Sequence, residues 1–121
     1  MSDNLNHAIA DVAAAHGLRC QPASFDPGVH VRCGATDVRM VMHSMEPGYE
    51  PKISIMETVR DMKDGETVVF VCHPGYLDRF ILEHSSLTTD RTKEVDALID
   101  PELRVWLETR PDLKLIDYRD L

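Results

Sequence analysis

His73, Pro74 and Gly75 close a short apolar run, Val68 to Cys72, and Asp78 follows five residues after the histidine. The run is β-branched and does not alternate, which is how a parallel strand covered on both faces reads. In parallel α/β folds, ligands and catalytic groups gather at the carboxyl ends of strands. An imidazole placed there can give or take a proton near neutral pH. Asp78 could hydrogen-bond the ring and set its tautomer. The competing reading is that His73 only caps a strand and bonds to backbone.

Other residues have less to offer. His30-x-x-Cys33, with His43, Cys72 and His73, supplies the nitrogen and sulfur donors outside expected helices. A zinc site needs three or four converging ligands, and one short pair without a second does not make one. Ser85 and Ser86 read as turn formers. Trp106 with Leu103 and Leu107 reads as a helix packing face, and Met40, Met42, Met45 and Met56 as gap-filling core or interface residues.

The elements that must position His73 follow from caps, breakers and periodicity. Asp3 to His16 is expected to be helical, with Leu5, Ile9, Val12 and Ala13 on one face, Ser2 or Asp3 as cap and Gly17 as stop. Leu18 to Gln21 reads as a short strand ending near Arg19. Residues 22–52 are punctuated by prolines and glycines, with Val29 to Arg32 and Val38 to Met42 as possible strands. Ser54 and Glu57 have capping-box spacing ahead of the stripe Ile55, Val59, Met62. After the His-Pro-Gly turn, Arg79 to His84 reads as a helical turn. Arg91 to Ile99 reads as a helix with Val95, Leu98 and Ile99 inward. Asp100 and Pro101 start another helix, as cap and first residue, running to about Thr109. Leu113 to Ile116 is expected to be the last strand. This alternation predicts an α/β fold with right-handed crossovers and a mostly parallel sheet of three to five strands.

The chain has 121 residues, 43% hydrophobic and 28% charged, which suits one soluble domain over residues 1–121. A net charge of −8 argues against nucleic acid or an anionic membrane as partner. No apolar run reaches membrane-spanning length and the start does not read as a secretory signal. Cys20, Cys33 and Cys72 are an odd, widely spaced set, which predicts reduced thiols and a cytoplasmic location.

The segment Val71-Cys72-His73-Pro74-Gly75-Tyr76 with Asp78, then Ser85-Ser86, Arg91, Glu94, Leu98, Asp100-Pro101-Glu102 and the closing Leu115 to Leu121, resembles the end of the YdjC-like (ChbG/HpnK) carbohydrate deacetylases. The resemblance runs over about 55 residues. It implies a (β/α) barrel, which needs about 250 residues, so this chain would be the C-terminal half: a partial, barrel-like domain. It also implies hydrolysis of N-acetyl groups from oligosaccharides with a divalent metal, Mg or Zn. The family's upstream metal motifs, of the types Asp-Asp-Phe-Gly and His-x-Asp-Ser-His-x-His, do not occur in this sequence.

By resemblance His73 is general acid or substrate-binding residue, Asp78 its orienter, and Arg19, Gly75 and Tyr76 candidate substrate contacts. Arg19 reads equally well as a solvated arginine, and Tyr76 as packing over the turn. The expectation is a deacetylase-like domain that is inactive alone for want of metal ligands. The alternative is a non-enzymatic half-barrel acting in binding or oligomerisation. Open sheet edges further predict a homo-oligomer, or a missing N-terminal half as partner.

Overall fold

A computed structural model describes residues 3–19, 24 and 26–121. The elements are α1 (Asp3–Ala15), β1 (His30–Cys33), β2 (Thr36–Val41), α2 (Pro51–Asp61), β3 (Thr67–Phe70), α3 (Arg79–His84), α4 (Thr89–Leu98), α5 (Pro101–Glu108) and a closing 3-10 turn (Tyr118–Asp120). They form two compact units. One takes in the described residues up to Val41, then Met62–Phe70 and Ile116–Leu121; the other is Met42–Asp61 with Val71–Leu115. Among the described residues no helix is long and apolar enough to cross a membrane.

The first unit holds an open three-stranded sheet in the order β1-β2-β3. β1 and β2 pair antiparallel from His30↔Arg39 to Cys33↔Thr36. The two-residue turn Gly34-Ala35 imposes this, with Gly34 at φ 60° in the left-handed conformation that primed hairpin turns require. Glycine is needed there for a second reason. A Cβ on Gly34 would stand 3.2 Å from the Leu121 carbonyl oxygen. β2 and β3 pair parallel from Val38↔Thr67 to Val41↔Phe70. The sheet is therefore mixed, not mostly parallel as the alternation suggested.

β3 also ends earlier than its apolar run. Its last ladder partner is Val41, the final residue of β2, so Val71 and Cys72 lie beyond the ladder. All four β3 residues are half-buried, not covered on both faces. Two expected strands join no ladder: Leu113 to Ile116, with Leu115 and Ile116 exposed, and the described part of Leu18 to Gln21, where Leu18 and Arg19 are exposed. Cys20 and Gln21 lie outside the described residues, as does the proposed Ser2 cap.

α1 ends as its sequence requires. Leu18 N–H donates to the Ala13 carbonyl at 2.8 Å and Gly17 N–H to that of Ala14 at 3.1 Å, a Schellman closure around Gly17 at φ 64°. Its apolar stripe is open: Ala13 is buried, while Leu5, Ile9 and Val12 are exposed.

Glu66, just ahead of β3, ties this sheet together. Period-two geometry sets it on the face shared by His30 and Arg39, which are directly opposite each other. Its carboxylate accepts from Arg39 Nε at 2.7 Å and Nη2 at 3.2 Å, from Lys63 N–H at 3.1 Å, and meets His30 Nε2 at 3.1 Å. The Arg39 guanidinium, helped by Lys63 and His30, holds the Glu66 carboxyl down from 4.5 to about 2 against the opposing effect of burial.

In the second unit, α2 begins at Pro51, whose missing N–H suits a first helical position. Ser54 therefore lies within the helix, and its N–H bonds to the Glu50 carbonyl at 2.9 Å. That overturns the Ser54–Glu57 capping box. Asp100 does cap α5, accepting from Glu102 and Leu103 N–H, and it also pairs with Lys52 at 2.7 Å. Leu103 is buried, and the Trp106 ring lies beside the Arg60 and Arg110 guanidinium groups, 5.6 and 4.7 Å from its centroid. Of Val95, Leu98 and Ile99, expected to turn inward, Val95 is half-buried while Leu98 and Ile99 are exposed, and the buried residues of α4 are Glu94 and Ala97.

The depressed Glu66 value fixes a sign. Its contribution to stability is fully present above about pH 4.5 and is lost as pH falls towards 2. Urea midpoints measured between pH 5 and 2 should fall more steeply for the native chain than for Glu66→Gln. Parallel pH profiles would refute the assignment.

Candidate functional site

The strand-end residues His73 to Gly75 are held by α4 in the second unit. His73 N–H donates to Glu94 Oε2 at 2.6 Å, and Gly75 N–H to the Arg91 carbonyl at 3.2 Å. Two amides two residues apart thus meet acceptors three residues apart on one helical turn. Pro74, between them, has no N–H to satisfy. Among the described residues the chain leaving β3 has no strand neighbour here, and α4 supplies the acceptors that a ladder would have supplied.

Glu94 is fully buried. Its other oxygen, Oε1, accepts from Ser44 Oγ at 2.6 Å and from the Tyr49 hydroxyl at 3.0 Å. A carboxylate withdrawn from water is tolerated only when donors surround it, and here three converge. Burial first, then the bond to Glu94, pushes the Tyr49 phenol well above its ordinary value, so it remains a donor. Neighbouring α4 residues extend the grip on residues 44–50. Asp90 accepts from Met45 N–H at 2.7 Å, and Lys93 Nζ donates to the Tyr49 carbonyl at 3.0 Å.

His73 is half-buried, and its Nδ1 is buried without a hydrogen-bond partner among the described residues. The anticipated orienter does not reach it. Asp78 is the N-cap of α3, accepting from Ile81 N–H at 2.8 Å. The orphan amides of a helix start are strong claimants for an aspartate in that position. Gly75 is placed by its bond to Arg91. Tyr76 is 77% exposed, so it does not pack over the turn. Ser85 Oγ bonds to the Leu87 carbonyl at 3.0 Å, the turn role expected of it. Arg19 follows α1 in the first unit, exposed.

Three of the donors considered for a metal, His30, His43 and Cys72, are engaged elsewhere or unsuited. His30 meets Glu66 and the Gly28 carbonyl, and His43 meets Glu46. Burial first, then the charge of Glu94, pushes the Cys72 thiol up to about 11, away from the thiolate that binds metals. No group of three or more His, Cys, Asp or Glu side chains among the described residues could hold an ion. The described residues do not fit the divalent metal that the resemblance implies.

Glu94 is the functional residue that sequence reasoning undervalued. Asp90, Glu94 and Ala97 share a helical face by their spacing, but a glutamate on a helix reads by default as solvated. Its place among the residues carrying the family resemblance was the available signal.

Comparison with known proteins bears out that resemblance. The chain is 44% identical over 54 residues to carbohydrate deacetylase 2 of Listeria innocua, covering 45% of this chain and 21% of that protein. It is 31% identical over 72 residues to a carbohydrate deacetylase of Clostridium beijerinckii, covering 60% and 29% of the two chains. A carbohydrate deacetylase of Geobacillus stearothermophilus is 37% identical over 57 residues, covering 47% and 23%. The matches lie in the C-terminal part of these relatives, and the chain spans less than a third of their length. No protein-family model matches the chain, and no solved structure matches it.

Replacing Glu94 tests the arrangement directly. Glu94→Ala leaves three donors without an acceptor and should destabilise the protein by about 3 kcal/mol or more in chemical denaturation. Glu94→Gln retains one acceptor oxygen and should cost about half as much. A loss under about 0.5 kcal/mol for Glu94→Ala, typical of surface positions, would contradict the role.

Proposed function

We propose that this chain is the C-terminal portion of a deacetylase-like hydrolase acting on N-acetylated sugars, and that His73 serves the scissile amide. The observation that carries the reading is the fixed His-Pro-Gly turn. Both amides around Pro74 are tied to α4, and the imidazole is held with a buried Nδ1 that nothing in the described chain satisfies. Support also comes from the named carbohydrate deacetylases, which are similar over 45–60% of the chain. The chemistry asked of His73 is modest. When an amide is hydrolysed, the departing sugar amine must gain a proton, and an imidazole can donate it. Asp78 acts in this reading by ordering α3 directly after the turn.

The described residues do not assemble a metal site, so the reading gives this chain the proton-donating side of the reaction and no metal chemistry. The chain alone is then expected to release no acetate from N-acetylglucosamine oligomers, with or without added divalent cations.

A chimaera provides the positive test. The 54-residue matched stretch of the Listeria innocua relative would be replaced by the corresponding stretch of this chain. The chimaera should release acetate, and His73→Ala within it should lower the rate by about 10²–10⁴-fold, the range for loss of a general acid. An active chimaera indifferent to His73→Ala would overturn the assignment. Acetate release by the isolated chain that disappears in His73→Ala would instead make the chain a complete enzyme.

A further inference from the structure

Two consecutive turns link β2 to α2, and they differ in an informative way. In the first, Glu46 N–H bonds to the His43 carbonyl at 3.1 Å; in the second, Tyr49 N–H bonds to the Glu46 carbonyl at 3.1 Å. Each therefore spans four residues, with Met45 and Gly48 at the same third position. Their φ angles are nearly equal, 74° and 75°. A positive φ at that position is what type II turns require, and glycine is its usual occupant. Gly48 obeys the rule, and a Cβ there would meet nothing within 4 Å. Met45 breaks it, being the single non-glycine residue with positive φ among the described residues.

The left-handed conformation costs a side-chain-bearing residue on the order of 1–2 kcal/mol. Such strain persists only where the surroundings over-determine it, and it clusters at functional sites. Here the surroundings are explicit. Met45 N–H is fixed by Asp90 at 2.7 Å, and the preceding Ser44 hydroxyl is fixed by Glu94 at 2.6 Å. The side chain gains no burial in return, since Met45 is 59% exposed. Of the two expectations for Met45, core or interface, this corrects the first. Ser44 and His73 N–H occupy the two oxygens of the same carboxylate, so the strained turn is anchored beside the His73 strand end.

We infer that Met45 is a specificity-determining residue of the His73 site, its thioether side chain contacting the acyl methyl of an N-acetyl sugar. The inference rests on the deacetylase reading and adds what that reading lacks, an apolar contact for the group to be removed. The Met45 amide is already committed to Asp90, which leaves the flexible, polarisable side chain as what the residue presents. Such a side chain suits a small apolar group.

The test uses the full chain with methyl-labelled methionine, titrated with the N-acetylglucosamine trimer and, separately, with the fully de-acetylated glucosamine trimer. The Met45 methyl resonance should shift with the acetylated trimer and stay in place with the other. Met45→Gly relieves the backbone, so its melting temperature should rise by about 3 °C, while affinity for the acetylated trimer falls about fivefold or more. Shifts at the His73 and Gly75 amides without any at Met45 would overturn this inference and leave the deacetylase reading standing. An absence of shifts at all these positions would also overturn this inference, while the acetate release of the chimaera decides the deacetylase reading separately. A lower melting temperature in Met45→Gly would show that the side chain serves the fold, and would also overturn it.

Discussion

A carboxylate removed from water must be met by donors, and the placement of the candidate site follows from how Glu94 meets that requirement. One of its oxygens holds the first of the turns after β2, through Ser44, and the region leading into α2, through Tyr49; the other holds the backbone at His73. The acid stands on α4, whose Arg91 carbonyl takes the Gly75 amide as well. Two segments far apart in sequence, residues 44–49 and 73–75, are thereby fixed to one helical turn. Position is what the fold gives His73.

The same device operates separately in the sheet unit. Glu66 gathers Arg39, His30 and the Lys63 amide, which joins β1, β2 and the turn before β3. Among the described residues neither unit has a large apolar core: Ala13, Cys33, Val38 and Val41 are the buried apolar residues in one, and Tyr49, Ala97 and Leu103 in the other. With so little apolar area removed from water, the stability of each unit leans on a well-satisfied acid. Such acids are costly to disturb, because removing the acceptor strands the donors around it.

The sequence was most legible where the signal is local. Gly17 closing α1 and Asp100-Pro101 opening α5 were readable because a cap depends on a few adjacent residues. Ser54 and Glu57 had the right spacing for a capping box and failed, because Pro51 starts the helix one turn earlier. Strands were less legible, since a ladder needs a partner. Val68 to Cys72 reads as one run, yet pairing stops at Phe70 where β2 ends, and Leu113 to Ile116 finds no ladder. The hairpin of β1 and β2 depends on Gly34, and that turn overrode the parallel pattern suggested by the alternation of elements. His73 stood out through its place after an apolar run. Glu94 did not, because on its helix it reads like the solvated acids around it and only its place in the family resemblance sets it apart.

Glu94 holds the His73 end of the chain, and hydrogen exchange at a single amide reports on that bond. The His73 N–H lies beyond the last ladder pair of β3, so without Glu94 it would exchange like an unpaired loop amide. In the native protein it should be protected as well as the β3 amides, and Glu94→Ala, which removes both acceptor oxygens, should speed its exchange about tenfold or more while the β3 amides keep theirs. Fast exchange of His73 in the native protein, or protection unaltered by Glu94→Ala, would refute the bond to Glu94.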